Sequence, residues 1–266
     1  MENSKEDKKV VLKSWATYFD EMPKIDKNAV RKDWLTAFPI LSKYSPCRLY
    51  YMADIMYMGV DINYARCGWP SYHADFMVWS LWQIYPKYDT YASLLMQINS
   101  TRSYKQDTFE EAKNKMQLHY GGILQARVSV KQFLIIIYQR WTRYYYDSRT
   151  QSCLCAMLLA IGTYFGNEKL MIAAKKFTER VSRKWNQDDF KALFKCTIDE
   201  WKEYIYALME DRDRFMAQVE RFAEKERMYK VNKAHLDMDL TDKDIRYLAN
   251  VAGRKGIGKF LARIFV

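Results

Sequence analysis

Glycine and proline are scarce, at 9 and 5 among 266 residues. Few breakers and long stretches of apolar residues at helical spacing predict an all-α chain. Cysteine is sparse too. The five cysteines (Cys47, Cys67, Cys153, Cys155 and Cys196) are odd in number and irregular in spacing, which excludes a disulfide framework and suits a reducing compartment. Only three histidines occur, His73, His119 and His235, so a histidine-driven switch has few candidates. No long hydrophobic run is present. The longest uncharged stretch, Thr150 to Asn167, is interrupted by Gln151, Ser152, Thr163 and two glycines. Its apolar centre, Cys153 to Ile161, is far short of the roughly 20 residues a spanning helix needs. It reads as a buried core helix, and any membrane contact is expected to be peripheral. The start, Met1 to Lys9, is charged and unlike a signal peptide; Glu2 is incompatible with myristoylation and the terminal Arg263-Ile264-Phe265-Val266 is not a prenylation box.

What the chain does have is apolar and basic. Hydrophobic residues make up 49% and charged residues 28%, a composition able to bury a core and unlike that of disordered chains. The formal net charge is +11, and residues 1–86 carry only +1 of it, against +5 each for 87–166 and 167–266. A basic excess in the last two thirds suits an anionic partner, either lipid headgroups or nucleic acid.

The apolar periodicity predicts helices over Val10–Phe19 and Ala29–Phe38, the latter ended by Pro39. Ser45-Pro46 reads as a helix start for Cys47–Met58, with Gly59 as the stop, and Ala74–Ile84 as a further helix. Residues 87–108 are more polar, with a loop expected at Asn99 to Ser103. Helices follow from Thr108 to His119, from Lys131 to Tyr146 and from Cys153 to Phe165. Lys169 to Trp185 is amphipathic, and Asp188 to about Lys230 is helical and strongly charged. There Trp201, Ile205, Leu208, Phe215, Val219 and Phe222 form a packing seam, for this chain's own bundle or for a partner helix. Residues 232–244 read as a linker before a last helix capped by Thr241. The expected organisation is an N-terminal helical bundle (1–86), a middle helical bundle (87–166) and a helical C-terminal domain (167–266).

Motifs that carry chemistry are few. Gly253 to Lys259 resembles the first part of a phosphate-binding loop, but Phe260 stands where Ser or Thr would hold magnesium, and only seven residues follow Lys259. The better reading is a basic amphipathic end, with Lys255, Lys259 and Arg263 four apart and Ile257, Leu261 and Ile264 on another side. The sharpest basic surface is the stripe Lys176, Arg180, Arg183 and Lys184, opposite Leu170, Ala173, Ala174, Phe177 and Val181. Each such cation contributes about 1 kcal/mol near an anionic bilayer, so four supply roughly 4 kcal/mol, weak for one copy and strong for many. Cys153 and Cys155 point to different sides of a helix and have no histidine near them, so no zinc set is visible. No catalytic triad or dyad carries a known motif. No cofactor, no metal and no enzymatic activity are expected.

Residues 34–42 read Trp34-Leu35-Thr36-Ala37-Phe38-Pro39-Ile40-Leu41-Ser42. The pattern Trp-Leu, three residues, then Pro-Ile-Leu-Ser is similar to the second-to-third-helix region of orthomyxovirus matrix proteins. Three later blocks agree in order: Lys115 to Gly121, similar to a helix ending near His-Gly; Ile136-Ile137-Tyr138-Gln139-Arg140-Trp141; and Cys153-Leu154-Cys155-Ala156, which resembles a cysteine-bearing helix. The resemblance covers about residues 30–165, and the chain's length and divergence point to the thogotovirus branch. It implies two tandem helical bundles and a helical C-terminal domain. It also implies a structural role: copies assemble in a layer beneath the viral envelope, touch acidic lipids and bridge to the ribonucleoprotein during budding. The corresponding locations are the virion beneath the envelope, the cytoplasmic face of the host membrane, the host cytoplasm and the nucleus. Two departures stand out. The dense basic cluster of influenza members is reduced here to Lys113 and Lys115 beside Glu110 and Glu111, and the family's proposed zinc pattern lacks its histidines.

Candidate contacts for anionic lipid or ribonucleoprotein are therefore Lys113, Lys115 and Lys131 in the middle segment, Lys176, Arg180, Arg183 and Lys184, and Lys255, Lys259 and Arg263. The expected partners are further copies of the chain, an anionic membrane surface and the viral ribonucleoprotein. The alternative is a nucleoprotein-like RNA binder, with Arg140-Trp141-Thr142-Arg143-Tyr144-Tyr145-Tyr146 stacking bases. The same aromatics would also serve as helix packing.

Overall fold

The computed structural model describes residues 25–64, 71–87, 94–99, 108–144 and 148–250. The chain is not all-α. Helix α1 (Lys27–Ala37) leads into strands β1 (Ser42–Ser45), β2 (Arg48–Ala53), β3 (Met56–Tyr64), β4 (Tyr72–Ser80) and β5 (Leu94–Asn99). Helix α2 (Phe109–Tyr120), strand β6 (Arg127–Ser129) and helices α3 (Val130–Tyr144), α4 (Ser148–Tyr164) and α5 (Glu168–Ser182) follow. Then come α6 (Gln187–Phe194), α7 (Ile198–Glu210), α8 (Arg212–Lys225), a 3₁₀ turn (Met228–Lys230), β7 (Lys233–Asp237) and α9 (Asp242–Asn250).

The sheet runs β5-β4-β3-β2-β7-β6, with β1 also on β2. β2 to β5 form an antiparallel meander, whereas β7 runs parallel to both β2 and β6. β1 and β7 occupy successive parts of one edge of β2: Ser42 and Lys43 face Tyr50 and Leu49, and Lys233 and Ala234 face Met52 and Ala53. Asn232 sits at the join. Its carbonyl accepts from Met52 N, its N–H donates to Ser42 Oγ, and its side-chain amide donates to Pro39 O. One sheet therefore draws strands from each of the three segments expected from the sequence.

The helices expected over Cys47–Met58 and Ala74–Ile84 are replaced by strands for a physical reason. These stretches are buried on both faces, so the two-residue alternation that marks a half-exposed strand is absent. What remains is composition: Tyr50, Tyr51, Val60 and Ile62, then Phe76, Val78 and Trp79, residue types that favour a pleated surface. Pro46 stands in the turn between β1 and β2 instead of opening a helix, and Asp54, at φ 47°, turns β2 into β3. The expected linker 232–244 contains β7, because Asp54 holds that segment: its carboxylate accepts from Leu236 N at 2.7 Å and contacts His235 Nδ1 at 3.1 Å. The polar stretch 87–108 contains β5. After Pro39 the chain enters β1, so the Trp34–Ser42 block is a helix-to-strand junction where the matrix resemblance implies a second helix.

Gly59 lies inside β3 and is not a helix stop. A Cβ there would collide with the carbonyl of Leu49 and stand 2.8 Å from Cδ1 of Tyr50, the cross-strand partner of the glycine. Gly59→Ala is expected to cost about 3 kcal/mol as an overpacked core position. The check is the urea midpoint, and an unchanged midpoint would contradict this packing.

One sheet face, carrying Leu49, Tyr51, Val60 and Phe76, is covered by helices. Phe76 stacks on Tyr120 of α2 at 4.7 Å, Tyr51 donates to Ile123 O, and Trp34 of α1 meets Phe109 edge-on at 5.4 Å. The other face carries Tyr50, Tyr57 and Trp79 beside the cross-strand row Arg48, Asp61 and Asp75. Tyr50 donates to Asp61, and burial is the main cause that holds the Asp61 carboxyl above its usual range. After β4, residues 81–87 pass into the helical half, where the Trp201 indole N–H donates to Ile84 O at 3.0 Å. The Trp201 to Phe222 seam is intramolecular: all six side chains are buried, and Asp211 divides it into α7 and α8 by capping Arg214 N.

Candidate anionic-surface site

Helix α5 forms as the sequence predicts. Asn167 caps it through a 3.0 Å bond from Leu170 N, Glu168 lies in its first turn and Arg180 in its last, each matching the helix dipole. Leu170, Ala173, Ala174, Phe177 and Val181 are all buried, packed mainly against α4 and α9.

The opposite side is the site. Lys176, Arg183 and Lys184 are exposed and Arg180 is half-exposed, and none of the four forms an ion pair among the described residues. The neighbouring cations are matched by acids: Lys169 by Asp242 at 2.6 Å, Lys175 by Glu210, and Lys202 by Glu179 at 3.3 Å. Glu179, the acid within the stripe, is turned away, accepting from Lys202 and from Tyr206 OH at 2.9 Å. Ile172 is an addition that the charge pattern alone does not mark. It lies four residues before Lys176 on the same face and is 56% exposed. A signal for it exists in the sequence: an isoleucine at i−4 in a polar stripe has no core to enter. From Ile172 to Arg180 the face extends about 12 Å along α5 at 1.5 Å per residue, and Arg183 and Lys184 continue it just past the helix end.

The other sequence candidates separate into two groups. Lys113 and Lys115 are half-exposed and bound within α2 to Glu110 and Glu111. Lys131, at the start of α3, lies 4.0 Å from Asp244 of α9 and so is matched as well. Lys255, Lys259 and Arg263, and with them the loop-like Gly253 to Lys259, lie outside the described residues. So do the side chains of the aromatic–basic run from Arg140 to Tyr146. The structure thus brings together Lys176, Arg180, Arg183 and Lys184, joined by Ile172.

Three of the described cysteines are buried. Cys153 and Cys155 are buried in α4, and burial pushes the Cys155 thiol up to about 12 and that of Cys196 to about 11, so both are neutral thiols at pH 7. Among the described residues no three of His, Cys, Asp and Glu come together as metal ligands, and no helix is long and apolar enough to cross a membrane. Comparison of the chain with protein-family models, curated proteins and solved structures finds no match.

Proposed function

We propose that the protein is a structural, non-enzymatic binder of anionic membrane surfaces that docks peripherally through the outer face of α5. The observation that carries this reading is selective neutralisation. The nearby Lys169, Lys175 and Lys202 each meet an acid, whereas Lys176, Arg180, Arg183 and Lys184 meet none among the described residues, and the exposed Ile172 stands in line with them. Cations for headgroups and one apolar side chain for the acyl boundary are the elements of an interfacial helix.

The magnitude implies many copies. Roughly 4 kcal/mol from four cations corresponds to a Kd near 1 mM, so useful affinity requires self-association and avidity. The matrix-type role is the biological form of this proposal: a layer beneath a viral envelope, at the cytoplasmic face of a host membrane and in the virion, bridging to the ribonucleoprotein. It draws on the sequence resemblance, while the membrane-binding surface draws on α5.

Vesicle flotation tests it. Binding is expected to anionic vesicles and not to neutral ones, and to weaken as the screening length falls from about 10 Å at 0.1 M salt to about 3 Å at 1 M. Equal binding to neutral vesicles, or binding indifferent to salt, would refute the reading. RNA binding without vesicle binding would put the nucleoprotein-like reading in its place.

A further inference from the structure

Where the basic face ends, at Lys184, the surface opens into a cavity of about 510 Å³. Its sides are the start of α4, through Ser148 and Gln151, and one stripe of α6, through Asp189, Ala192 and Leu193. The connecting turn, Lys184 to Asn186, closes one end, and Asn186 caps α6 by accepting from Asp188 N and Asp189 N.

Gln151 is the telling residue. It is only 3% exposed, and its Oε1 accepts from the Trp185 indole N–H at 2.6 Å. An indole nitrogen can only donate, so the Gln151 oxygen must face Trp185 and the amide nitrogen must turn the other way. Gln151 itself lines the cavity, so its amide nitrogen is a donor available there. An amide held in one orientation by the Trp185 bond presents its N–H donors to an acceptor in the cavity. Lys184 lines the same cavity and offers a second, charged donor. Asp189 lines it too, and the two opposite charges do not pair with each other. The cavity therefore offers two donors, one of them cationic, and one anionic acceptor. The Trp185 ring, Ala192 and Leu193 supply apolar wall.

We infer that this cavity binds a primary phospho-amine: a phosphate joined by a short carbon chain to an ammonium, without a carboxylate. The phosphate oxygens accept from Gln151 Nε2 and Lys184 Nζ, and the ammonium donates to Asp189. A quaternary ammonium has no N–H to donate, and a serine-type headgroup would bring a second carboxylate towards Asp189. The same chemistry occurs at an ethanolamine lipid headgroup and in free phosphoethanolamine. The lipid form rests on α5 being the membrane face, since Lys184 is the last cation of that face and the first of the cavity.

Two measurements separate the sources. In flotation at fixed phosphatidylglycerol content, replacing phosphatidylcholine by phosphatidylethanolamine is expected to raise binding about threefold, the scale of one exposed charge contact. Replacing it by phosphatidylserine, with the added charge offset by less phosphatidylglycerol, is expected to give no such gain. Asp189→Asn is expected to abolish the ethanolamine preference, so that both vesicle types float alike. In ligand-observed NMR, free phosphoethanolamine is expected to bind the wild type, and phosphocholine is not. Absence of both the vesicle preference and the phosphoethanolamine signal would overturn the cavity proposal, while salt-sensitive flotation would leave the α5 reading intact. Conversely, phosphoethanolamine binding that Asp189→Asn abolishes, with flotation indifferent to charge on α5, would support the cavity for the free ligand and overturn the membrane face.

Discussion

Trp201→Ala is expected to destabilise the protein by about 4 kcal/mol, within the range for emptying a buried aromatic site. Trp201 is fully buried on α7, with Trp185 at 5.4 Å and Phe190 at 5.9 Å, and its N–H satisfies Ile84 O. The substitution would leave a large void among rings already stacked on one another, Trp185 on Phe190 and Tyr85 on Phe194, with little freedom to collapse. It would also strip a carbonyl in the strap that joins the sheet to the helices. Trp201→Phe keeps most of the volume and removes only the donor, so about 1–3 kcal/mol is expected from the orphaned carbonyl and the smaller ring. For a chain of this size, about 4 kcal/mol corresponds to a fall in Tm of roughly 10 °C. A melting curve unchanged by the alanine variant would contradict the central position of this side chain.

The double reversal Lys176→Glu with Arg180→Glu is expected to weaken binding to anionic vesicles by about a thousandfold. Each reversal replaces an attraction of about 1 kcal/mol by a comparable repulsion, about 4 kcal/mol in total, and 1.4 kcal/mol is tenfold. The fold is expected to survive. Neither side chain has an acid partner among the described residues, and an acid in the last turn costs only about 0.5 kcal/mol against the helix dipole. Lys113→Glu is the control, because its cation lies on α2, away from α5, and is already matched there by Glu110. Ile172→Ser separates a bilayer from a polyanion: it is expected to weaken vesicle binding without changing its salt dependence, and to leave any RNA affinity unaltered. A double reversal that floats like the wild type would remove α5 from the mechanism.

The helices legible in the sequence are those with one wet face. α5 carries its apolar residues on one side and its cations on the other, and Asn167 marks its start, so its limits and burial follow from spacing. α2 and the Trp201 to Phe222 seam were legible for the same reason. β2, β3 and β4 were not. Strands buried on both faces have lost their alternation, and Pro46 and Gly59 imitate the start and stop of a helix. The basic stripe was likewise legible, but two things about it were not. Which lysines are neutralised depends on acids far away in sequence, such as Asp242 for Lys169 and Glu210 for Lys175. The cavity beside Lys184 depends on α4 and α6 meeting, and on a Trp185 bond that orients Gln151.

By itself the sequence determined what local, periodic chemistry can determine: helix α5, the seam of α7 and α8, the cationic stripe, the buried Cys153 and Cys155 and the absence of a long apolar run. The tertiary structure alone decided the sheet, because β7 joins β2 across some 180 residues and owes its place to Asp54 and Asn232. It also decided which charges stay unmatched. Helical periodicity is a property of neighbours along the chain, whereas strand pairing and charge neutralisation are properties of neighbours in space, and these are set only once the chain has folded.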